Sequence, residues 1–303
     1  MKTTTASQIK DTPIEWLWPG RIPIGRVTVM EGDPGCGKSG LTMTIAATVT
    51  HGGNWPDGTT MANGGCIIVA NVEDPSASVI KPRLAAAGAN LDFIEVIDLD
   101  SPNADPLVIP TNVPTLGRMA EVFNSRPGYP PVKLIIIDPL DAFASEQIDL
   151  NRSQHARKAL RSLELVASHW RLAIIVVRHL SKSRGRTANY RGLGSISIIG
   201  ASRSAITVAK DPSDPSRSVL ASVKGNWSKA PPAWGFSIAP ASYTVEESGE
   251  VIQTSRLIWT GPSNITADEL VGEEQSNLRA GELEAAVAFL RVELATKGKT
   301  NRE

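Results

Sequence analysis

Apolar, β-branched runs alternate with helical periodicities along the first two hundred residues. Arg26 to Glu31 (RVTVME) reads as a strand that runs straight into GDPGCGKS, and Gly40 to Thr50 then reads as a helix. Cys66 to Asn71 (CIIVAN) is a second strand. Val79 to Gly88 reads as a short helix, interrupted or started by Pro82 and stopped by Gly88. Phe93 to Ile97 is a further strand. Thr115 to Ser125 carries Leu116, Met119, Val122 and Phe123 on one helical face. Val132 to Asp138 (VKLIIID) and Leu172 to Arg178 (LAIIVVR) are continuous apolar strands, and Ser153 to Trp170 between them is a helix with Leu160, Leu163 and Val166 inward. Continuous apolar strands suit the centre of a parallel sheet covered on both faces. Their alternation with helices predicts an α/β fold, a doubly wound, mostly parallel sheet with helices on both faces.

Past residue 200 the pattern changes. Arg203 to Ala209, Val219 to Lys224, Gly235 to Ile238 and Thr254 to Trp259 read as short strands between Pro, Ser and Asp turns, forming antiparallel C-terminal strands of the same sheet. Residues 264–280 are polar and poor in aromatics. Glu282 to Ala295 then places Leu283, Val287, Leu290 and Leu294 on one stripe. The expected organisation is a core over residues 1–262 with a flexible stretch at 1–12, a linker over 263–280, and a C-terminal helix within 281–303.

Composition narrows the class only slightly. The chain has 303 residues, 41% apolar and 20% charged, with a formal net charge of zero, so it carries no global basic field. Cys36 and Cys66 lack metal-ligand spacing and make no disulfide framework, which fits a reducing, cytoplasmic setting. The N-terminus lacks the apolar stretch of a signal peptide. No run approaches the ~18 uninterrupted apolar residues of a membrane helix, so no membrane partner is expected.

The chemistry begins at Gly32-Asp33-Pro34-Gly35-Cys36-Gly37-Lys38-Ser39, followed by Gly40, which matches G-x-x-x-x-G-K-[ST]. Such a loop between a strand and a helix turns its backbone N–H groups toward phosphate oxygens. Lys38 is placed to reach the β- and γ-phosphates of ATP, and the Ser39 hydroxyl to coordinate Mg2+. Asp138, closing LIIID, is the expected second metal-organising group. Glu73, just after CIIVAN, is positioned as the base that orients water, with Asp74 in support. His179, after LAIIVVR, stands where a polar group can report on the γ-phosphate. His51, His155 and His169 are read as ordinary surface or core residues.

In this order the landmarks resemble the RecA-like ATPase core. More closely, the chain is similar to the RepA type of hexameric replicative helicase of plasmids, phages and mobile elements. The matching segments are WLWPGRIPIGRVTVMEGDPGCGKS, HGGNWPDG, NVEDP, LIIIDPLDAF, VVRHLSKS, YRGLGSISIIGASRSAITV and VKGNWSKAPPAWGFSI, spanning roughly residues 14 to 240. The resemblance implies a homo-hexameric ring with ATP between neighbours. It assigns Arg203 as an arginine finger acting in trans and Lys224 as a second trans cation. It sets two segments in the channel facing single-stranded DNA: Ala144 to Arg157, with Asn151, Arg152 and Arg157, and Ser181 to Ser197, with Lys182, Arg184, Arg186, Arg191 and Tyr190. Arg83 also matches a recurrent position, without a defined role. Members with this layout are expected to continue into a winged-helix region, whereas the chain stops at Glu303, so the terminal helix reads as truncated before a further domain.

The leading expectation is therefore an ATP-driven motor on single-stranded DNA. A regulatory or mediator ring that binds ATP and a protein partner without unwinding DNA uses the same loop. A small-molecule kinase is a third reading, disfavoured by the antiparallel tail and the candidate trans cations.

Overall fold

The computed structural model describes residues 3–97, 106–179, 197–226, 230–267 and 269–270. A small hairpin, β1 (Trp16–Trp18) and β2 (Ile22–Pro23), leads into β3 (Val27–Gly32) and α1 (Lys38–His51). A second small hairpin, β4 (Gly53–Asn54) and β5 (Thr60–Met61), precedes β6 (Cys66–Asn71), α2 (Lys81–Ala86) and β7 (Ile94–Val96). Then come α3 (Pro114–Asn124), β8 (Val132–Asp138), α4 (Ser153–Trp170) and β9 (Ala173–His179). The chain finishes with β10 (Ser204–Asp211), β11 (Asp214–Gly225), β12 (Ala233–Thr244) and β13 (Val251–Ser263).

Nine strands make one sheet in the order β13-β12-β11-β10-β3-β9-β8-β6-β7. From β10 to β7 the neighbours run parallel, and β10 through β13 pair antiparallel. This is a RecA-like α/β fold. Every residue of β3 and β6 is buried, Thr28 and Glu31 of β3 included, as central strands covered on both faces require. One face is covered by α3 and α4, whose Leu116, Phe123, Leu160 and Leu163 pack on Val29, Ile68, Ile135 and Val176. The other face is covered by α1, α2 and the turn before α2, with Leu41, Ile45, Leu84 and Ile80 on Met30, Ile67, Ile136 and Ile175. Because α1 also touches α2 and β13 on its outer side, it is buried nearly all round and shows no single polar face.

Two expectations are corrected. The strand at 204–211 is not part of the antiparallel extension on both sides: it pairs parallel with β3, Ser204 opposite Thr28 and Thr207 opposite Glu31. The strands after it are also much longer than their apolar segments, with β12 and β13 zipped from Ala233–Ser263 to Thr244–Val251. Their outer halves alternate between half-buried and exposed positions. Ser, Thr and even Pro240 therefore sit inside a ladder that the search for apolar runs ended at Ile238.

The motif segments WLWPGR and NWPDG meet as an aromatic staple. Trp18 and Trp55 stack with centroids 4.7 Å apart, and Trp259 meets Trp18 edge-on. Arg21 is fully buried beside Trp18, donates to the Pro232 carbonyl and lies 3.7 Å from Asp57. Burial lowers its pKa to about 10, against the raising effect of Asp57.

Ile265, Ala267 and Leu270, in the stretch read as linker, pack on Ala209, Val219, Ala221 and Ala233. The proposed helix at 282–295 and the rest of the linker lie outside the described residues. Among the described residues, no helix is long and apolar enough to cross a membrane.

Candidate functional site

The parallel strands deliver their C-terminal ends to one edge. Register places Gly32 beside His179 and Asn71 beside Asp138, so the phosphate loop, the Asp138 carboxylate and the Glu73 turn share that edge. The loop is tightly built. A Cβ on Gly32 would lie 2.0 Å from the Val208 carbonyl oxygen of β10. Gly37 enters α1 at φ +93°, and a Cβ there would lie 2.9 Å from the Phe236 ring of β12. Cys36 is buried under the loop.

Lys38 is buried, and its Nζ donates to the Gly32 carbonyl at 2.7 Å and the Asp33 carbonyl at 2.9 Å. These acceptors hold the ammonium where phosphate oxygens are its natural alternative partners. Ser39 follows on the first turn of α1. Asp138 is 1% exposed, and neither of its oxygens has a hydrogen bond of ordinary geometry among the described residues. Burial pushes its carboxyl above the ordinary range. The nearby Ser39 hydroxyl, His179 and Lys38 offset part of that rise, and Glu73 adds to it.

An orphaned buried carboxylate beside a serine hydroxyl is what a bound divalent cation would satisfy. Ser39 and Asp138 therefore fit Mg2+ carried in by a nucleotide. The described residues hold no cluster of three or more His, Cys, Asp or Glu that could bind an ion. A cation here would accordingly rely on phosphate oxygens for part of its shell.

Glu73 is more open than Asp138, and its Oε2 lies 3.1 Å from His179 Nε2. His179 is the last residue of β9 rather than the residue after it. The Glu73-Asp74 turn is held by a residue that strand-and-motif reading passed over. Asn71 Oδ1 accepts from the backbone N–H groups of Glu73 at 3.0 Å and Asp74 at 2.9 Å. An Asn at a strand end, two residues before a polar pair, is the available signal for such an Asx turn. Asp74 is bonded to Arg83 at 2.6 Å, which gives Arg83 the task of fixing the turn to α2.

Arg178 is another buried group without a sequence signal of its own. It donates to Asn151 Oδ1 at 3.0 Å and faces Asp141 at 3.9 Å. Asn151 thereby joins the loop after Asp138 to the strand that carries His179, and Ser197 donates to the Asn151 carbonyl.

Arg203 and Lys224 are not part of this cluster. Ser204 pairs with Thr28 and with Gly225, and Ala205 with Lys224, so both cations sit toward the end of the sheet away from their own phosphate loop. Lys224 Nζ donates to the carbonyls of Ile199 and Gly200, at 2.9 and 3.0 Å. Burial, then the charge of Arg203, lowers its pKa. The basic segment with Lys182, Arg184, Arg186, Tyr190 and Arg191 lies outside the described residues. The three remaining histidines are in ordinary roles: His51 Nε2 meets the Gly88 carbonyl, His155 Nδ1 accepts from the Asp149 N–H, and His169 packs on Trp170.

The chain belongs to the AAA domain family, whose model matches residues 2–185, a span that takes in the phosphate loop, Glu73, Asp138 and His179. No curated protein matches it. The family and the fold together make it a nucleotide-binding P-loop ATPase.

Proposed function

We propose that the protein is an ATP-hydrolysing ring motor acting on single-stranded DNA, a helicase or helicase-like translocase. In this reading Lys38 and the loop N–H groups hold the β- and γ-phosphates, Ser39 and Asp138 hold Mg2+, and Glu73 orients the attacking water. His179, hydrogen-bonded to Glu73, aligns that carboxylate and is displaced or retained according to the phosphate in front of it. Arg203 and Lys224 supply positive charge to a neighbour's γ-phosphate, where developing transition-state charge needs it.

The observation behind the ring is the separation of the two sets of groups. A subunit that carries its anion loop at one end of a sheet and Arg203 at the other cannot apply that arginine to its own nucleotide. The similarity to RepA-type helicases and the basic 181–197 segment support DNA as the substrate. A positively charged groove with an aromatic side chain is how such strands are held without sequence preference.

The test is a mixing experiment. Lys38→Ala and Arg203→Ala are each expected to lose turnover, and their mixture to regain part of it at interfaces that pair an intact loop with an intact arginine. Mass measurement with ATP and a single-stranded oligonucleotide gives the assembly, and ATPase assay of the complex gives its stimulation. A monomer under all conditions, or an Arg203→Ala protein with wild-type turnover, overturns the shared site. A ring whose turnover ignores DNA favours the regulatory alternative.

A further inference from the structure

The phosphate loop lies between two unlike neighbours. On one side β9, β8 and β6 bring His179, Asp138 and Glu73 to its edge. On the other side β12 presses apolar side chains against its glycines. Ile238 Cδ1 would lie 3.4 Å from a Cβ on Gly37 and 3.3 Å from a Cβ on Gly40, so it rests on the turn where the loop becomes α1. Ile238 is nevertheless 42% exposed, one of the few large apolar side chains left open among the described residues, while Phe236 is fully buried. Further along the same hairpin Tyr243 reaches Lys81 at the start of α2, with Nζ 6.0 Å from the ring centroid.

A nucleoside triphosphate is a polar tail joined to an apolar, stackable base. The γ end must face the carboxylates that bind metal and water, so the rest of the molecule runs across the first turn of α1 toward β12. On that first turn the side chain overlying Gly40 is Ile238, whose open face is the surface the nucleoside meets. We propose that Ile238 is the apolar seat of the base of a nucleoside triphosphate, at the foot of the β12–β13 hairpin. Contact with the base removes the exposed side chain from water, a gain that scales with the apolar area covered. The antiparallel extension then belongs to the nucleotide site from the side opposite the catalytic groups. This deepens the ATPase reading and rests on the loop as the seat of the phosphates.

The test compares ATP with inorganic tripolyphosphate, which has the tail and no base. Ile238→Ala is expected to weaken ATP binding about tenfold, the scale of losing one substantial apolar contact. Tripolyphosphate binding should be unchanged, and Ile238→Leu should restore most of the ATP affinity. Equal losses for both ligands would mean that Ile238 only props the loop and would overturn the proposal, as would unchanged ATP affinity in Ile238→Ala. Failure of the wild-type protein to bind either ligand would strike at the loop itself.

Discussion

Two regions of one sheet meet at the phosphate loop by different means. In the parallel half, β3, β6, β8 and β9 are covered on both faces and end together, so Gly32, Asn71, Asp138 and His179 arrive at one edge by register alone. In the antiparallel half, β12 and β13 run past the layered core with alternate residues open to water, and Phe236 and Ile238 touch the loop from the flank. The first region brings polar chemistry to the site, and the second brings shape. A parallel strand must bury both its faces and so tolerates few polar positions except at its end, where function accumulates. A long hairpin has polar positions throughout, and its contribution is decided by which side chain happens to lie against a distant glycine.

The largest effects should come from the polar side of this comparison. Lys38→Ala is expected to lose both nucleotide binding and turnover in a filter or fluorescence assay. Glu73→Gln should keep binding and lose turnover by about 10²–10⁴, the usual range for a positioned base; wild-type hydrolysis in that variant would remove Glu73 from the role. On the shape side, Phe236→Ala deletes a fully buried ring and should cost about 3–5 kcal/mol in denaturant unfolding. A cost confined to the surface range would show that the flank contact is loose.

Asp138→Asn should separate stability from function. Removing a buried carboxylate without hydrogen bonds is expected to stabilise the nucleotide-free protein by about 1–3 kcal/mol while abolishing magnesium-dependent hydrolysis. The sign with pH follows from the raised carboxyl. Below the unfolded value of about 4 the group is protonated in both states, so it sets no pH dependence there. As pH rises from there through the raised folded value, the folded state must accept a buried charge and stability falls. Thermal melts of wild type and Asp138→Asn across that range should converge at low pH and diverge above it. The smallest effect is expected at Gly35, whose φ is +81° but whose missing Cβ meets nothing within 4 Å. Gly35→Ala should cost roughly 1 kcal/mol of backbone strain, against the severe clash that Gly32→Ala meets at the Val208 carbonyl.

What was legible in the sequence divides along the same line. β6, β8 and α4 occupy the ranges that their patterns predict, residue for residue, because buried strands and an amphipathic helix write their boundaries in hydrophobicity. Glu73, Asp138 and His179 could be named because each closes such a strand or the turn after it. The true reach of β12 and β13 could not be read, since half-exposed ladders carry Ser, Thr and Pro without losing their backbone pairing. Phe236 and Ile238 could not be connected to Gly37 and Gly40 either: they are some two hundred residues apart in the chain, and no local pattern records that approach. Nor did the pattern reveal that β10 would join β3 in parallel, because Ser204 to Asp211 reads the same in either direction.

The bonds that Lys38 makes to the Gly32 and Asp33 carbonyls cast the loop as its own internal competitor. A nucleotide meets a lysine that is already satisfied, and must offer oxygens better than two peptide carbonyls to draw it away. The observed dissociation constant is then the intrinsic one divided by the fraction of loops whose lysine is released. Small anions that engage only the backbone N–H groups are expected to gain nothing from the ammonium, which would make the loop selective for charge density before any part of the site recognises the base.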